Sequence, residues 1–393
     1  MEEQLKPSGI GGQAVMEGVM MRNRSKYAVA VKQSDGRMVL NVKEYHSISE
    51  KIPFLGWPFL RGAVNLIESM IVGMGTLMYS ANFVDEEPAK DGEKAAKKAA
   101  KKAAKEAARE AAKEAAREAA TEAVEPSAEA APASEEEKSQ TFMTPAMVGL
   151  TVVLSLAVTI ALFMLLPFAI TSLFERVTGI ESAWVSSILE GLIRIGIFIG
   201  YVALIARMEE IKRVFRYHGA EHKTINCIEH GLPLTVENAR VSSKEHKRCG
   251  TSFMIFVMVI SILVFSIVNL FPLYTGYSRV LKFLVRFGVR LLLLPVVAGL
   301  SYEFLRLAGR TNNRVIAVLS KPGLWMQALT TKEPDDEMLA VAIASVEAVF
   351  DWKAFLAGTA ADQCAVPLEV GEYLIADDGS YVPTVTGFLN APK

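Results

Sequence analysis

Two histidines stand four residues apart in the stretch YHGAEHKTINC, and a glutamate directly precedes the second. Imidazoles at positions i and i+4 of a helix lie on one face, so His218 and His222 could share a metal ion. Glu221 could then take a proton from water at that ion, and the order H-x-x-E-H is the inverted zincin pattern. The segment predicts a divalent metal site, of the zinc type, with Glu221 as general base.

Two further ligand types follow within the same loop. His246 and Cys249 stand three residues apart in EHKRC, a spacing typical of the second half of a zinc-ligand set. Four protein ligands close a tetrahedral site and make it structural, whereas three leave a position for water. The predicted ligands are therefore His218 and His222 with His246, Cys249 or both. In the alternative interpretation no metal binds, and the histidines meet lipid headgroups or cap helix ends.

The other candidate side chains carry weaker signals. His230 stands before Gly231 and Pro233, which mark a turn, and His46 is expected on the surface. Cys227 is expected to be a small apolar filler. The three cysteines make no disulfide framework, which suits a reducing compartment.

Four apolar runs are long enough to cross a bilayer, which takes about 20 residues. They lie around 147–170, 184–206, 252–274 and 281–303. The first and third runs are free of charged residues, so we interpret them as membrane spans, whereas the other two each carry charges.

The charges in the second and fourth runs follow helical spacing. Glu190 and Arg194 are i and i+4 on one run, and Arg286 and Arg290 are i and i+4 on the other. Because charges are costly in lipid, we expect these side chains to face the interior of the bundle. They form either a structural ion-pair network or a site for an anion such as a phosphate or a lipid headgroup.

Basic residues are concentrated in the 207–249 loop, whereas the connectors 175–183 and 275–280 hold one each. By the positive-inside rule we expect a multi-pass protein of the cell (inner) membrane with both termini and the histidine loop in the cytoplasm. The first residues, MEEQLKPSGIGGQ, contain neither a basic nor an apolar segment, so we expect no cleavable signal peptide before the spans. The net charge of -1 gives no reason to expect a nucleic-acid partner. The expected partners are membrane lipid and other membrane proteins.

The expected fold class is mainly α: a polytopic membrane helical bundle of about four transmembrane helices, with a small N-terminal α/β domain. Alternating residues on both sides of Ser34-Asp35-Gly36 predict a β-hairpin in that domain. Asp335 and Asp336 stand at the expected start of a helix outside the bundle. The predicted order is a β-containing domain (1–58), an amphipathic or membrane-associated helix (59–85), an Ala/Glu/Lys-rich linker (86–139), the bundle (140–310) with its His-rich loop (207–251), a cytoplasmic helical region (311–357) and a tail (358–393).

Four segments carry a resemblance to a known family: IGGQAVMEGVMMR, YHGAEHKTINCIEHG, RCGTSF and KPGLWMQALTTKEPDDEMLAVAI. They are similar to the YqhQ-like family of bacterial membrane proteins, whose members are described as predicted metal-dependent enzymes. The resemblance covers roughly residues 9–84 and 140–350, and it leaves out the linker and the tail. It implies a membrane location and a metal, but neither a substrate nor a reaction.

The expected function is that of a metal-dependent hydrolase at the cytoplasmic membrane face. Two other classes stay open. The chain could be an assembly or scaffold protein whose metal fixes the cytoplasmic loop, or a carrier that binds an anion through Arg286 and Arg290.

Overall fold

A computed structural model describes residues 7–83, 145–180, 182–268, 279–309, 313–366, 368–376 and 379–384. The predicted linker and the side chain of Arg286 lie outside these described residues. The chain divides into two compact units, Met1–Val84 with Leu156–Lys393, and Asp85–Ser155. The contacts discussed below belong to the first unit.

The strands form one antiparallel sheet in which neighbours in sequence are neighbours in space. The predicted hairpin is confirmed: Gln33 and Arg37 pair through a 2.8 Å backbone hydrogen bond, and Gly36 takes the positive φ that the turn requires. The two last strands come from the tail, to which the sequence assigned no structure. The six strands are β1 (Gly11–Val15), β2 (Gly18–Asn23), β3 (Lys26–Lys32), β4 (Met38–Glu44), β5 (Gly371–Ile375) and β6 (Tyr381–Pro383).

Helices make up most of the remaining described structure, and the mainly α fold class with a small β-containing part is confirmed. A π-helical turn, Ala161–Leu165, separates the third helix from the fourth. The α-helices are α1 (Ile48–Lys51), α2 (Leu60–Ala81), α3 (Pro145–Ile160), α4 (Leu166–Thr178), α5 (Ala183–Ile205), α6 (Glu209–Glu229), α7 (Val236–Val241), α8 (Gly250–Val268), α9 (Arg279–Ala308), α10 (Arg314–Thr330), α11 (Asp336–Glu347) and α12 (Trp352–Leu356).

Four helical stretches are long and apolar enough to cross a membrane: Val153–Thr178, Trp184–Ile205, Gly250–Val268 and Phe287–Ala308. The first continues beyond the predicted residue 170, through a charged turn, until Gly179 ends it in the left-handed conformation with φ 71°. The predicted number of candidate spans is confirmed.

The sheet is covered on both faces because its strand residues alternate. Val19 and Met21 pack in a core with α6 and α11, whereas Val15 and Met20 pack on the other face with Val72 of α2. Alternate residues of a strand point to opposite faces of the sheet, and here each face packs against a layer of helices. The helix that carries His218 and His222 is one of these layers.

α11 begins where the two aspartates predicted it. The side chain of Asp335 accepts a 2.9 Å hydrogen bond from the backbone N–H of Met338, which satisfies one free amide of the first turn. The helix then buries its apolar side against α6 and the sheet. This packing fixes one side of the histidine helix.

α2 packs against the last turns of α9. A Cβ on Gly62 would lie 2.8 Å from the Cα of Gly299, so the two backbones approach as only glycine allows. Arg61 donates two hydrogen bonds of 2.6 Å to the carboxylate of Glu303 on α9. The helix predicted over 59–85 thus lies against the bundle, beside the sheet.

Candidate metal centre

The histidine helix α6 is buried along its second half. Thirteen consecutive residues, Tyr217 to Glu229, are buried. His218, His222, Asn226 and Glu229 stand at i, i+4, i+8 and i+11, so they form one polar stripe along the helix. A polar stripe on a fully buried helix indicates that its groups have specific partners, because unpaired polar groups are costly there.

Three of the four predicted ligands come together. His218, His222 and Cys249 each offer one ligand atom, and these atoms all lie within 4.8 Å of one another. Nε2 of His218 is 3.2 Å from Sγ of Cys249, and the two imidazole rings are 4.4 Å apart. In a tetrahedral zinc site, N and S ligands lie about 3.5 Å apart. The described residues therefore supply a metal-sized cluster of two nitrogens and one sulfur.

Backbone carbonyls orient both imidazoles. Nδ1 of His218 lies 2.8 Å from the carbonyl oxygen of Thr330, and Nδ1 of His222 lies 2.6 Å from that of Lys244. A carbonyl only accepts, so each Nδ1 carries the proton and each Nε2 presents a lone pair. Nε2 of His222 is buried without a hydrogen-bond partner, and burial lowers the pKa of this imidazole. Both rings are prepared to act as neutral ligands.

The thiol of Cys249 lies in an environment that favours the thiolate. Burial acts to raise the pKa of this thiol, whereas its contacts with Thr251 act to lower it. The hydroxyl of Thr251 lies 3.1 Å from Sγ, and its backbone N–H donates to Sγ at 3.4 Å. A lowered thiol pKa suits a ligand, because the thiolate is the form that binds metal.

Glu221 is buried beside the ligands, and its Oε2 has no hydrogen-bond partner. Burial raises the pKa of this carboxyl to about 8, although the His218 imidazole partly offsets the rise. β1 lies directly over it: a Cβ on Gly12 would be 2.7 Å from Cγ of Glu221. Only glycine at residue 12 leaves room for the carboxyl group.

His246, the fourth predicted ligand, lies beside the cluster but faces another partner. Its ring is 5.5 Å from that of His222, and its Nε2 is 3.7 Å from Oε2 of Glu229. The side-chain amide of Gln327 makes hydrogen bonds of 2.9 Å and 2.7 Å with the backbone N–H and carbonyl of His246. The backbone of this residue is therefore held in place from α10.

Glu229 is the functional-site residue that the sequence reasoning missed. It accepts hydrogen bonds of 2.7 Å from the backbone N–H and the hydroxyl of Ser8, and it also contacts Arg248. Burial opposes ionisation, but His246, Arg248 and Ser8 together lower the pKa of Glu229 to about 2. The signal for it was its place on the polar stripe of α6.

A cavity of about 520 Å³ lies beside the cluster. His218, Glu221 and Cys249 line one part of it, and Gly12 of the edge strand β1 lies next to Glu221. The rest of the wall includes residues of α2 and of the adjoining ends of α8 and α9. A molecule in this cavity would reach His218, Cys249 and Glu221 together.

The charged layer of the bundle is a separate cluster. Arg290 donates to both oxygens of Glu190, at 2.6 Å and 2.9 Å, and Arg194 donates to the same carboxylate at 2.8 Å. Arg194 also donates to the carbonyl of Phe163 at 2.9 Å. The side chain of Arg286 lies outside the described residues. The described contacts have the form of an ion-pair network.

The three remaining candidates lie apart from the cluster. His46 is exposed near Glu50, and His230 ends α6 with its Nδ1 2.7 Å from the carbonyl of Asn226. Cys227 belongs to the buried core between α6 and the sheet, in agreement with the predicted role of apolar filler.

Comparison with known proteins gives a family and one relative. The family model described as "Protein of unknown function (DUF1385)" matches residues 57–352. The chain is 32% identical over 354 residues to "Uncharacterized protein YqhQ" of Bacillus subtilis (strain 168), a match that covers 88% of this chain and 93% of that protein. No solved structure matches.

Proposed function

This chain belongs to the DUF1385 family of proteins of unknown function, and from its site we propose that it is a metal-dependent hydrolase at the membrane face. His218, His222 and Cys249 hold the metal in this proposal, and Glu221 is the general base. The proposal starts from a His/Cys cluster beside helices that are long and apolar enough to span a membrane.

Two buried atoms without partners carry the proposal. Nε2 of His222 and Oε2 of Glu221 make no hydrogen bond, although both side chains are buried. A buried polar group left unpaired costs about 1–3 kcal/mol. A metal ion would satisfy the imidazole nitrogen, and a water molecule beside it would satisfy the carboxyl oxygen. These atoms therefore fit a ligand better than they fit a finished core.

The number of ligands favours catalysis over a scaffold. Structural zinc sites usually have four protein ligands, whereas three ligands leave a position for water or substrate. In the described part of the chain three ligand atoms converge, and His246 contacts Glu229 instead. A zinc-type ion held by these three residues would act as a Lewis acid and lower the pKa of a water molecule bound to it.

The chain's own residues would do the rest of the work. The carbonyls of Thr330 and Lys244 hold the Nδ1 protons of the two imidazoles and so keep both Nε2 lone pairs on the cluster. A cation held by the three ligands would oppose the effect of burial and favour the ionised form of Glu221. Oε2 of that carboxylate would then accept a proton from the attacking water and return it to the leaving group. β1 covers this carboxyl through Gly12 and limits the access of bulk water.

The membrane side of the site is proposed from the sequence. The excess of Lys and Arg in the 207–249 loop favours the cytoplasmic face of the inner membrane. Labelling with an impermeant thiol reagent should reach Ser182→Cys but not Glu245→Cys in intact cells. Labelling of Glu245→Cys alone would reverse the orientation.

The decisive experiment compares Glu221→Gln with Cys249→Ser. Glutamine keeps the size of glutamate but cannot accept the proton, so Glu221→Gln should keep the metal and lose about 10²–10⁴-fold in activity. Cys249→Ser should lose metal, because the thiolate ligand is gone. Metal content of the purified protein and rescue of a deletion strain are the two measurements, with the exposed Glu237→Gln as control. If the Glu221→Gln protein kept its metal and its full activity, the metal would be structural and the proposal of a hydrolase would be rejected.

A further inference from the structure

The cavity beside the metal centre is walled by helices that are apolar enough to enter a membrane. Phe253 and Met254 come from the first turn of α8, and Tyr302 and Leu305 from the last turns of α9. Both helices are candidate spans. This part of the cavity wall therefore lies where the two helices would leave the bilayer.

The two faces of α2 differ in what they meet. Leu66, with Gly62 and Asn65, lines the cavity. The opposite face is apolar and 55–66% exposed, with Ile67 and Met70 among its residues. An amphipathic helix of this kind is stabilised when its apolar face enters the boundary between headgroups and acyl chains. The exposed Trp57 just before it is a residue typical of that boundary. α2 thus separates the cavity from the region that lipid would occupy.

The cavity has a basic end. Arg248 and Tyr302 also line a second cavity of about 430 Å³, whose other charged residues are Arg24, Arg306 and Asp362. Arg24 lies 3.6 Å from Asp362, and Arg306 lies 3.9 Å from a carboxylate oxygen of Glu303, both too long for a hydrogen bond.

The nearby carboxylates do not accept hydrogen bonds from all of the guanidinium N–H groups in the second cavity. Glu303 already accepts both hydrogen bonds of Arg61, and Glu229 already accepts from Ser8 and Arg248. Guanidinium groups bind phosphate oxygens through charge-assisted, often bidentate hydrogen bonds. The second cavity therefore offers positive charge and donors to an anionic group.

We infer that the two adjoining cavities bind an anionic membrane lipid. Its apolar chains lie between α2, α8 and α9, and its anionic headgroup lies among Arg24, Arg248 and Arg306. The idea that this lipid is a substrate of the metal centre rests on the proposed function, whereas the inference that the lipid binds here does not. A soluble phosphate ester would share the headgroup chemistry, but it gains nothing from the apolar wall of the cavity.

The first test measures lipid binding by the purified full-length protein in detergent. The probes are phosphatidylglycerol and phosphatidylcholine with identical acyl chains, and native mass spectrometry counts the lipid retained. We expect about tenfold more of the anionic lipid, the factor given by one charge-assisted hydrogen bond. The double variant Arg24→Gln/Arg306→Gln should lose this preference, while Arg37→Gln, whose partner is Asp35 in the β3–β4 turn, keeps it. Equal retention of both lipids, or an unchanged preference in the double variant, overturns the inference.

The second test separates the chain region from the headgroup region. Leu66→Trp fills the cavity and should reduce retention of both lipids, whereas its outward-facing neighbour Ile67→Trp should not. Full displacement of the lipid by glycerol phosphate would overturn the lipid assignment in favour of a soluble phosphate ester.

The metal-ligand variant separates this inference from the proposed function. His222→Ala should keep the lipid preference, so a failure of hydrolysis leaves the lipid site standing. Conversely, metal-dependent hydrolysis of soluble esters by a protein without lipid preference supports the hydrolase and rejects the lipid site.

Discussion

Two regions of the molecule bury a carboxylate equally well and treat it in opposite ways. Glu190 of the bundle and Glu221 of α6 are each 5% exposed. Both oxygens of Glu190 accept hydrogen bonds from arginine, whereas Oε2 of Glu221 has no partner. A buried charge with full partners belongs to the architecture, and a buried polar atom without one points to a missing ligand.

The two regions also differ in how their polar groups are held. In the bundle, Arg194 is fixed by its own helix partner and by the carbonyl of Phe163. In α6, the ligands are fixed from behind by carbonyls of Thr330 and Lys244, which leave their reactive atoms free. In the bundle, the hydrogen-bond donors of the arginine are used by their partners. In α6, the Nε2 lone pairs of the two imidazoles stay free and face the same cluster.

The largest effect that tests this comparison should come from the metal ligands. His222→Ala removes a ligand, so we expect loss of bound metal and of the stability that the metal supplies. That contribution is about 4 kcal/mol when the free metal is at 1,000 times its Kd. Metal content and thermal unfolding, with and without a chelator, measure both quantities.

The matched control for that experiment lies in the other region. Glu190→Gln should leave metal content unchanged, because its partners are Arg194 and Arg290 and not the histidine cluster. If the His222→Ala protein kept its full metal content, the unpartnered nitrogen of His222 would not be a ligand. The contrast drawn between the two regions would then be wrong.

An effect of similar size on stability, but without loss of metal, is expected in the bundle. Glu190→Ala leaves Arg194 and Arg290 without their carboxylate and should cost about 3–5 kcal/mol, as breaking buried ion pairs does. The double variant Glu190→Leu/Arg290→Leu should be less destabilised than the sum of its single changes, because the two groups interact directly. Unfolding in a denaturing detergent measures Glu190→Ala, the two single leucine variants and the double variant. Normal stability of Arg290→Leu together with lost function in cells would favour the anion carrier.

The sequence was sufficient where local patterns decide structure. The apolar runs, the hairpin around Gly36 and the helix start at Asp335 each depend on residues close in the chain. The i,i+4 spacing also put His218 and His222 on one helix face. These features need no knowledge of distant contacts.

The sequence could not show which of His246 and Cys249 lies with His218 and His222, because distant residues set their positions. Gln327, on α10, holds the backbone of His246, and Glu229 faces its ring. β5 also joins the sheet across more than 300 residues, beside β4. Long-range contacts of this kind leave no local pattern, so neither the position of His246 nor the last strands could be predicted.

The smallest expected effect comes from two helical glycines, one in each region. On an isolated helix, glycine to alanine stabilises by about 1 kcal/mol. A Cβ on Gly219 of α6 would lie 1.9 Å from the carbonyl oxygen of Lys332, whereas a Cβ on Gly200 of α5 meets nothing within 4 Å. Gly200→Ala should therefore be neutral or stabilising. Gly219→Ala should cost about 1–3 kcal/mol, the usual penalty for overpacking.

Gly219→Ala should also weaken metal binding without touching a ligand. The displaced segment follows Thr330, whose carbonyl holds the imidazole of His218. Changes in such supporting contacts typically cost about 10–100-fold in metal affinity. Chemical unfolding and a competitive metal titration measure the two effects on the same protein. If Gly219→Ala matched the wild type in both stability and metal affinity, the backbone at Lys332 would move to accommodate the added methyl group. The site would then not depend on the position of the segment that holds His218, and this difference from the ion pairs of the bundle would be lost.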